Sequence, residues 1–107
     1  MVKRSIIKAV RHYLSGLPAV GINARKAILF GSFARGEQHE WSDIDLIVVA
    51  PEFDKRYNLR FAQRLWGARA GSDVRIEPIP CGVREWEEDD SRPILEIARK
   101  EGIVISL

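Results

Sequence analysis

The sequence predicts an α/β sandwich in which a small sheet carries helices. Three observations lead there. Amphipathic segments with helical spacing alternate with short apolar runs of strand length. Gly and Pro punctuate most of the junctions between them. The run Leu46-Ile47-Val48-Val49 is apolar on both faces, as a central strand beneath helices must be.

Residues 2–17 are the first predicted helix, with Ile6, Val10, Tyr13, Leu14 and Leu17 recurring on one face. Gly16, Pro18 and Gly21 end it. Lys26 to Phe30 is a short buried strand that stops at Gly31. A short helix can begin at Ser32, a good N-cap whose hydroxyl can also face a ligand. Residues 36–42 form a polar loop, and 43–50 form the second strand, ended by Pro51. Asp54 can cap a helix over 55–70 whose inner face is Leu59, Ala62, Leu65 and Trp66, closed by Gly71. The third strand, 74–79, puts Val74 and Ile76 on one face and Asp73, Arg75 and Glu77 on the other. Pro78 and Pro80 mark its far end as an edge or as frayed. Residues 85–90 are an acidic loop or a short helical turn. Ser91 caps a last helix with Pro93 near its start, Ile94, Leu95, Ile97 and Ala98 inside, and Gly102 just beyond its end. Residues 103–107 have strand composition.

At 107 residues the chain reads as one domain, 1–107, with a modest core. Hydrophobic residues at 46% and charged ones at 30% fit an ordinary soluble globular protein. The net charge of +2 says little about partners, but its distribution is uneven. The first 35 residues hold seven Lys or Arg and no acid, whereas five of the six residues from Glu85 to Asp90 are acidic. Solvated surface is the plain reading of both segments. The lone Cys81 excludes an internal disulfide and argues against structural zinc. No apolar run approaches the roughly 20 residues needed to cross a bilayer, and no signal peptide is visible. A cytoplasmic protein is expected. His12 and His39 lack metal-ligand spacing. Trp41 reads as a loop anchor, and Trp86 as a satellite contact or a partner anchor.

The chemistry-bearing segment lies between Leu29 and Val49. A Gly31-Ser32 turn closes one strand, and Asp43-Ile44-Asp45 opens the next. Side chains at i and i+2 share a strand face, so Asp43 and Asp45 point the same way. Two carboxylates so close repel unless a cation sits between them. Paired acids beside a phosphate-sized turn suggest a divalent metal and a nucleotide.

Gly31-Ser32-Phe33-Ala34-Arg35-Gly36 followed by Ser42-Asp43-Ile44-Asp45-Leu46 resembles the DNA polymerase β-like nucleotidyltransferase superfamily. More narrowly, the chain looks like its minimal nucleotidyltransferases, which often pair with a HEPN-domain protein. The resemblance implies a nucleotidyltransferase fold of class α/β (α+β), with a small mixed sheet of about four strands. It implies transfer of a nucleoside monophosphate from an NTP, ATP in the first place, to a hydroxyl acceptor. Two Mg²⁺ ions are expected, held by Asp43, Asp45 and a third acid on a neighbouring strand. Glu77 is favoured for that role, with Asp73 as the alternative; the family more often carries Asp there. Gly31 and Ser32 would hold phosphate. Arg35 either reaches the triphosphate or pairs with nearby acids such as Glu37.

So small a chain is expected to leave the acceptor to a second molecule. The resemblance implies a HEPN-domain partner, with this chain as the antitoxin-like member of the pair. A homo-oligomer stays open. The alternative reading is a nucleotidyltransferase-fold binding module that turns over little substrate. Direct nucleic-acid binding is disfavoured, because net charge is small and no recognition motif is present.

Overall fold

The computed structural model describes residues 3–39, 42–54, 59–89 and 91–107. Trp41, the first residues of the helix expected from 55, and Asp90 lie outside them. Five α-helices and four strands are described, besides three short 3-10 turns: α1 (Arg4–Ser15), β1 (Lys26–Phe30), α2 (Ser32–Arg35), β2 (Ile44–Val49), α3 (Leu59–Gly67), β3 (Ile76–Cys81), α4 (Val83–Glu88), α5 (Pro93–Glu101) and β4 (Ile103–Ser106). The strands form one mixed sheet in the order β3-β2-β1-β4. β1 runs antiparallel to β2 and β4, while β2 and β3 are parallel, joined by the α3 crossover.

Two-residue alternation splits the core into two clusters, one on each face of the sheet. Ala27, Leu29, Ile44, Leu46, Val48 and Ile76 join the face of α1, together with Val10, Leu14 and Leu65. Ile28, Phe30, Ile47, Val49 and Cys81 join the face of α5, with Leu95 and Ala98. Each fully buried Leu or Ile contributes about 1.5–3 kcal/mol relative to exposure. The Tyr13 hydroxyl donates to the Leu65 carbonyl at 2.5 Å and fastens α1 to α3. Burial pushes that phenol far above its ordinary pKa.

β3 is an edge strand, and its prolines do not interrupt it. The carbonyls of Arg75 and Cys81 accept from the amides of Ile44 and Ala50. Odd-numbered residues therefore turn their backbone groups toward β2. Pro78 and Pro80 fall on even positions, where the missing N–H faces the open edge. They also guard that edge against pairing with another chain.

Several local expectations shift. α3 buries Leu65, with Phe61 and Ala68 packed beside it, while Leu59 is 53% exposed and Trp66 is 44% exposed. The apolar stripe therefore sits about one position away from the expected face, and the Trp66 ring is covered by the Arg69 guanidinium at 4.6 Å. Val74 lies in a turn before β3 and is exposed. In α5 the inner residues are Leu95 and Ala98, with Ile94 beside them, and Ile97 faces out. Arg92 is the N-cap of α5, and the Ser91 hydroxyl bonds Asp89 instead.

Residues 83–88 are helical, so of the two readings of the acidic segment the structure takes the helical one. Asp54 caps this helix across space: its carboxylate accepts from the amides of Arg84 at 3.0 Å and Glu85 at 3.4 Å. At the other end Arg99 donates to the carbonyls of Trp86 at 2.6 Å and Asp89 at 2.7 Å. A cation on the last carbonyls of a helix offsets the negative end of its dipole. Trp86 packs on the α5-side cluster, between Arg99 and Lys26.

Candidate active site

Three strand ends meet where β1 stops and β2 begins. Phe30 pairs with Asp45, and Asp45 pairs with Glu77. The three side chains form one row across the α5 side of the sheet, because each continues the alternation of its own strand. Asp43 stands two residues before Asp45 on the same side and is exposed. Phe30 closes the row from the apolar side, and beyond it the chain turns at Gly31.

That turn needs glycine twice over. Gly31 has φ +75° and ψ −152°, a conformation that L side chains rarely adopt. A Cβ there would also run into the Asp45 carboxylate, whose Cγ would be only 3.2 Å away. The backbone therefore passes directly over the acid. Gly31 is the N-cap position of α2 and Ser32 its first helical residue, so the Ser32 hydroxyl makes no cap bond. The Gly31 carbonyl takes the amides of Ala34 and Arg35, leaving those of Ser32 and Phe33 without an intrahelical acceptor. Gly36, with φ +72°, ends the turn.

The electrostatics follow from the row. Burial, then the Asp43 charge, raises the Asp45 carboxyl above the ordinary carboxylate range, against the pull of Arg35. Burial, then Asp43 and Asp45, raises Glu77, with Arg69 opposing. The charges of Asp45 and Glu77 are thus disfavoured by their acidic neighbours, and Glu77 and Asp43 are close enough to share a hydrogen bond.

Asp73 is placed differently. Arg75 grips its carboxylate with Nε at 3.0 Å and Nη2 at 2.6 Å, and the Arg75 amide adds a third bond. The guanidinium holds Asp73 below the usual carboxylate range. Glu77 is therefore the acid that adjoins Asp45 and Asp43, while Asp73 is committed to its own ion pair. Arg35 donates to Glu37 at 3.0 Å and to Glu101, at the end of α5, at 3.4 Å.

A cleft of about 460 Å³ is bounded by Ser32, Arg35, Glu37, His39, Ser42, Asp43 and Asp45, with Glu77 one strand beyond Asp45. Ser42 is the buried polar residue of the site, and its hydroxyl accepts from the His39 amide at 2.8 Å. His39 thus lines the cleft, a role its sequence context gave little reason to expect.

The donor set suits Mg²⁺ in kind: hard carboxylate oxygens, with no thiolate or imidazole among the three acids. Among the described residues no three His, Cys, Asp or Glu side chains already converge as a cage. Mg²⁺ needs none, since it keeps waters and is usually completed by one or two carboxylates and substrate phosphates. The residues fit the ion.

Comparison with known proteins follows the same lines. A family model described as "Nucleotidyltransferase domain" matches residues 5–104. The chain belongs to the nucleotidyltransferase domain family. A protein of Methanocaldococcus jannaschii named "Putative protein adenylyltransferase" is 35% identical, the match covering 52% of this chain and 50% of the relative. The chain thus spans about half the length of the curated relative it matches. A crystal structure titled as a "putative nucleotidyltransferase" from Sulfolobus solfataricus superposes with a TM-score of 0.60 at 18% identity. It covers 92% of this chain and 74% of that one, which establishes the nucleotidyltransferase-like fold. No helix among the described residues is long and apolar enough to cross a membrane.

Proposed function

We propose that this nucleotidyltransferase moves a nucleoside monophosphate from an NTP to a hydroxyl acceptor in a Mg²⁺-dependent reaction. The observation that carries the reading is the row in which Asp45 stands between Phe30 and Glu77, beneath the Gly31 turn and beside Asp43. ATP is the first choice of donor, in keeping with the adenylyl in the relative's name.

Each residue then has a stated task. Gly31 lets the backbone approach the triphosphate, and the Ser32 hydroxyl, which caps nothing, donates to a terminal phosphate oxygen. Arg35 exchanges one of its exposed carboxylate partners for phosphate, at little cost because such surface pairs are weak. Asp43, Asp45 and Glu77 would hold Mg²⁺. When bound, that ion neutralises the developing charge on the phosphates and lowers the pKa of the attacking hydroxyl. The acceptor oxygen forms a bond to the α-phosphorus as the α–β bridging bond breaks and pyrophosphate leaves. The hydroxyl proton leaves to solvent, and Glu77, paired with Asp45 across the β2–β3 ladder, would complete the carboxylates around the ion.

The acceptor is presented by a second molecule. The motif resemblance points to a HEPN-domain protein, with this chain as its antitoxin-like partner. A transfer assay with ATP labelled at the α-phosphate tests the assignment of the third acid. Glu77→Gln should abolish label transfer while leaving ATP binding largely intact, and Asp73→Asn should transfer at near wild-type rate. The reverse pattern would move the third carboxylate to Asp73.

A further inference from the structure

The net charge of +2, which taken whole argues against nucleic-acid binding, is the sum of two unlike sides of the molecule. Residues 83–101, which include α4 and α5 on one side of the sheet, hold seven acids against four cations. There Arg92 pairs with Glu85 and Arg99 with Glu96. No acid occurs in residues 1–36, which include α1, or in 59–72, which include α3 on the other side. Arg4, Lys8 and Arg11 recur four and three residues apart along α1 and are exposed, away from the face that buries Ile6, Val10 and Leu14. Arg64, on α3, is exposed as well. Among the described residues none of these four cations joins an ion pair. The pattern works against the helix that carries it. Like charges at those spacings repel, and Arg4 sits at the N-terminus of α1, where the helix dipole favours an acid. A polyanion laid along the stripe turns both penalties into attraction.

We propose that the outer face of α1 binds the phosphate backbone of a single-stranded nucleic acid. Arg4 and Arg11 are about 10 Å apart along the helix axis, the span of about three phosphates of a stacked strand. Two other anionic partners fit less well. An amphipathic helix holds a membrane by its apolar face, and that of α1 is buried in the core. A protein interface has an apolar centre, yet none of the exposed large hydrophobic residues lies on α1. A phosphate backbone asks only for cations. At its N-terminal end the stripe reaches Lys3, which with Ser5, His39 and Arg75 lines a polar cavity of about 300 Å³. His39 also bounds the catalytic cleft, so a strand on α1 leads toward the site. The surface goes beyond the transferase reading and does not depend on it.

The test is fluorescence anisotropy of a labelled oligouridylate at stepped KCl. Neutralising about three phosphates of a single strand gives a slope of about −2 for log K against log salt. Arg4→Gln/Lys8→Gln/Arg11→Gln should weaken binding at least about ten-fold at low salt and flatten that slope toward zero. Its melting temperature should hold or rise, because repulsion within α1 is removed. Its Mg²⁺-dependent ATP affinity should be unchanged. Arg84→Gln/Lys100→Gln removes exposed cations from the α5 side and should bind the strand as wild type does. Absence of wild-type binding, or an equal loss in both variants, overturns the assigned face. A triple variant that melts lower marks the stripe as structural and overturns it too. So does equal binding of polyglutamate, which points to an acidic protein, or of phosphatidylserine vesicles, which points to a membrane. None of these outcomes touches the transferase reading, which fails when wild type shows no Mg²⁺-dependent ATP binding.

Discussion

Two rows of the β2–β3 ladder, four residues apart on the same sheet face, do opposite things with the same physics. At one end Val49 pairs with Cys81 beneath α4 and α5, and at the other Asp45 pairs with Glu77 beside an open cleft. Burial penalises charge at both ends. It pushes the Cys81 thiol up to about 12, which keeps a neutral group neutral and costs the fold nothing at ordinary pH. It also raises Asp45 and Glu77, but there the neighbouring acids add to the penalty. The apolar row contributes stability, and the acidic row holds carboxylates whose charge is disfavoured by burial and by one another. One β-ladder thus carries an apolar anchor at one end and, at the other, the acids proposed to hold Mg²⁺.

The comparison can be broken most forcefully at the anchor. Ile47→Ala, on the same face between the two rows, should cost about 2–5 kcal/mol of unfolding free energy, read from denaturant midpoints. Its nucleotide affinity, measured well below the melting temperature, should hold. At the frame, Gly31→Ala combines a forbidden φ with a contact on the Asp45 carboxylate. A loss on the order of 3 kcal/mol is expected, together with loss of Mg²⁺-dependent nucleotide binding. A variant that binds normally would show that the close approach of Gly31 to Asp45 is not part of the site.

Smaller effects separate the two ends by charge. The Cys81 thiol ionises near 9 when unfolded and near 12 when folded. Its contribution is full below pH 9 and is lost as pH rises from 9 toward 12. Cys81→Ala should flatten the decline of stability in that window, followed by thermal melts at stepped pH. Glu77→Gln removes one of three mutually repelling charges, so with chelator present it should raise the melting temperature modestly at neutral pH. Added Mg²⁺ should stabilise the wild type more than this variant. A lower melting point in chelator would mean that the acidic row is not strained.

The alternation of Ala27 to Phe30 and of Ile44 to Val49 is written in residue type, so the central strands and the shared face of Asp43 and Asp45 were legible. So was the edge position of β3, from Pro78 and Pro80. The choice between Asp73 and Glu77 as the proposed third acid was not, because the sequence reading put both on one strand face. The pairing of Glu77 with Asp45 is set between strands, while Asp73 is held by Arg75, two residues away in the same turn. Asp54 failed as a guide for a related reason: a carboxylate near a helix start also reaches helices distant in sequence, and this one caps α4. For Leu59 and Trp66, helical spacing allowed two adjacent stripes, and packing against the α1-side core selected Phe61 and Leu65.

The central claim is that the acidic row and the Gly31 turn together form a Mg²⁺–nucleotide site. Isothermal titration of ATP into wild type and into the double variant Asp43→Ala/Asp45→Ala, with and without Mg²⁺, tests it most directly. Wild type should bind ATP only with Mg²⁺, and the double variant should lose at least the roughly 10–100-fold that loss of an outer-shell metal partner costs. ATP binding that is indifferent to Mg²⁺, or unchanged in the double variant, would contradict the account.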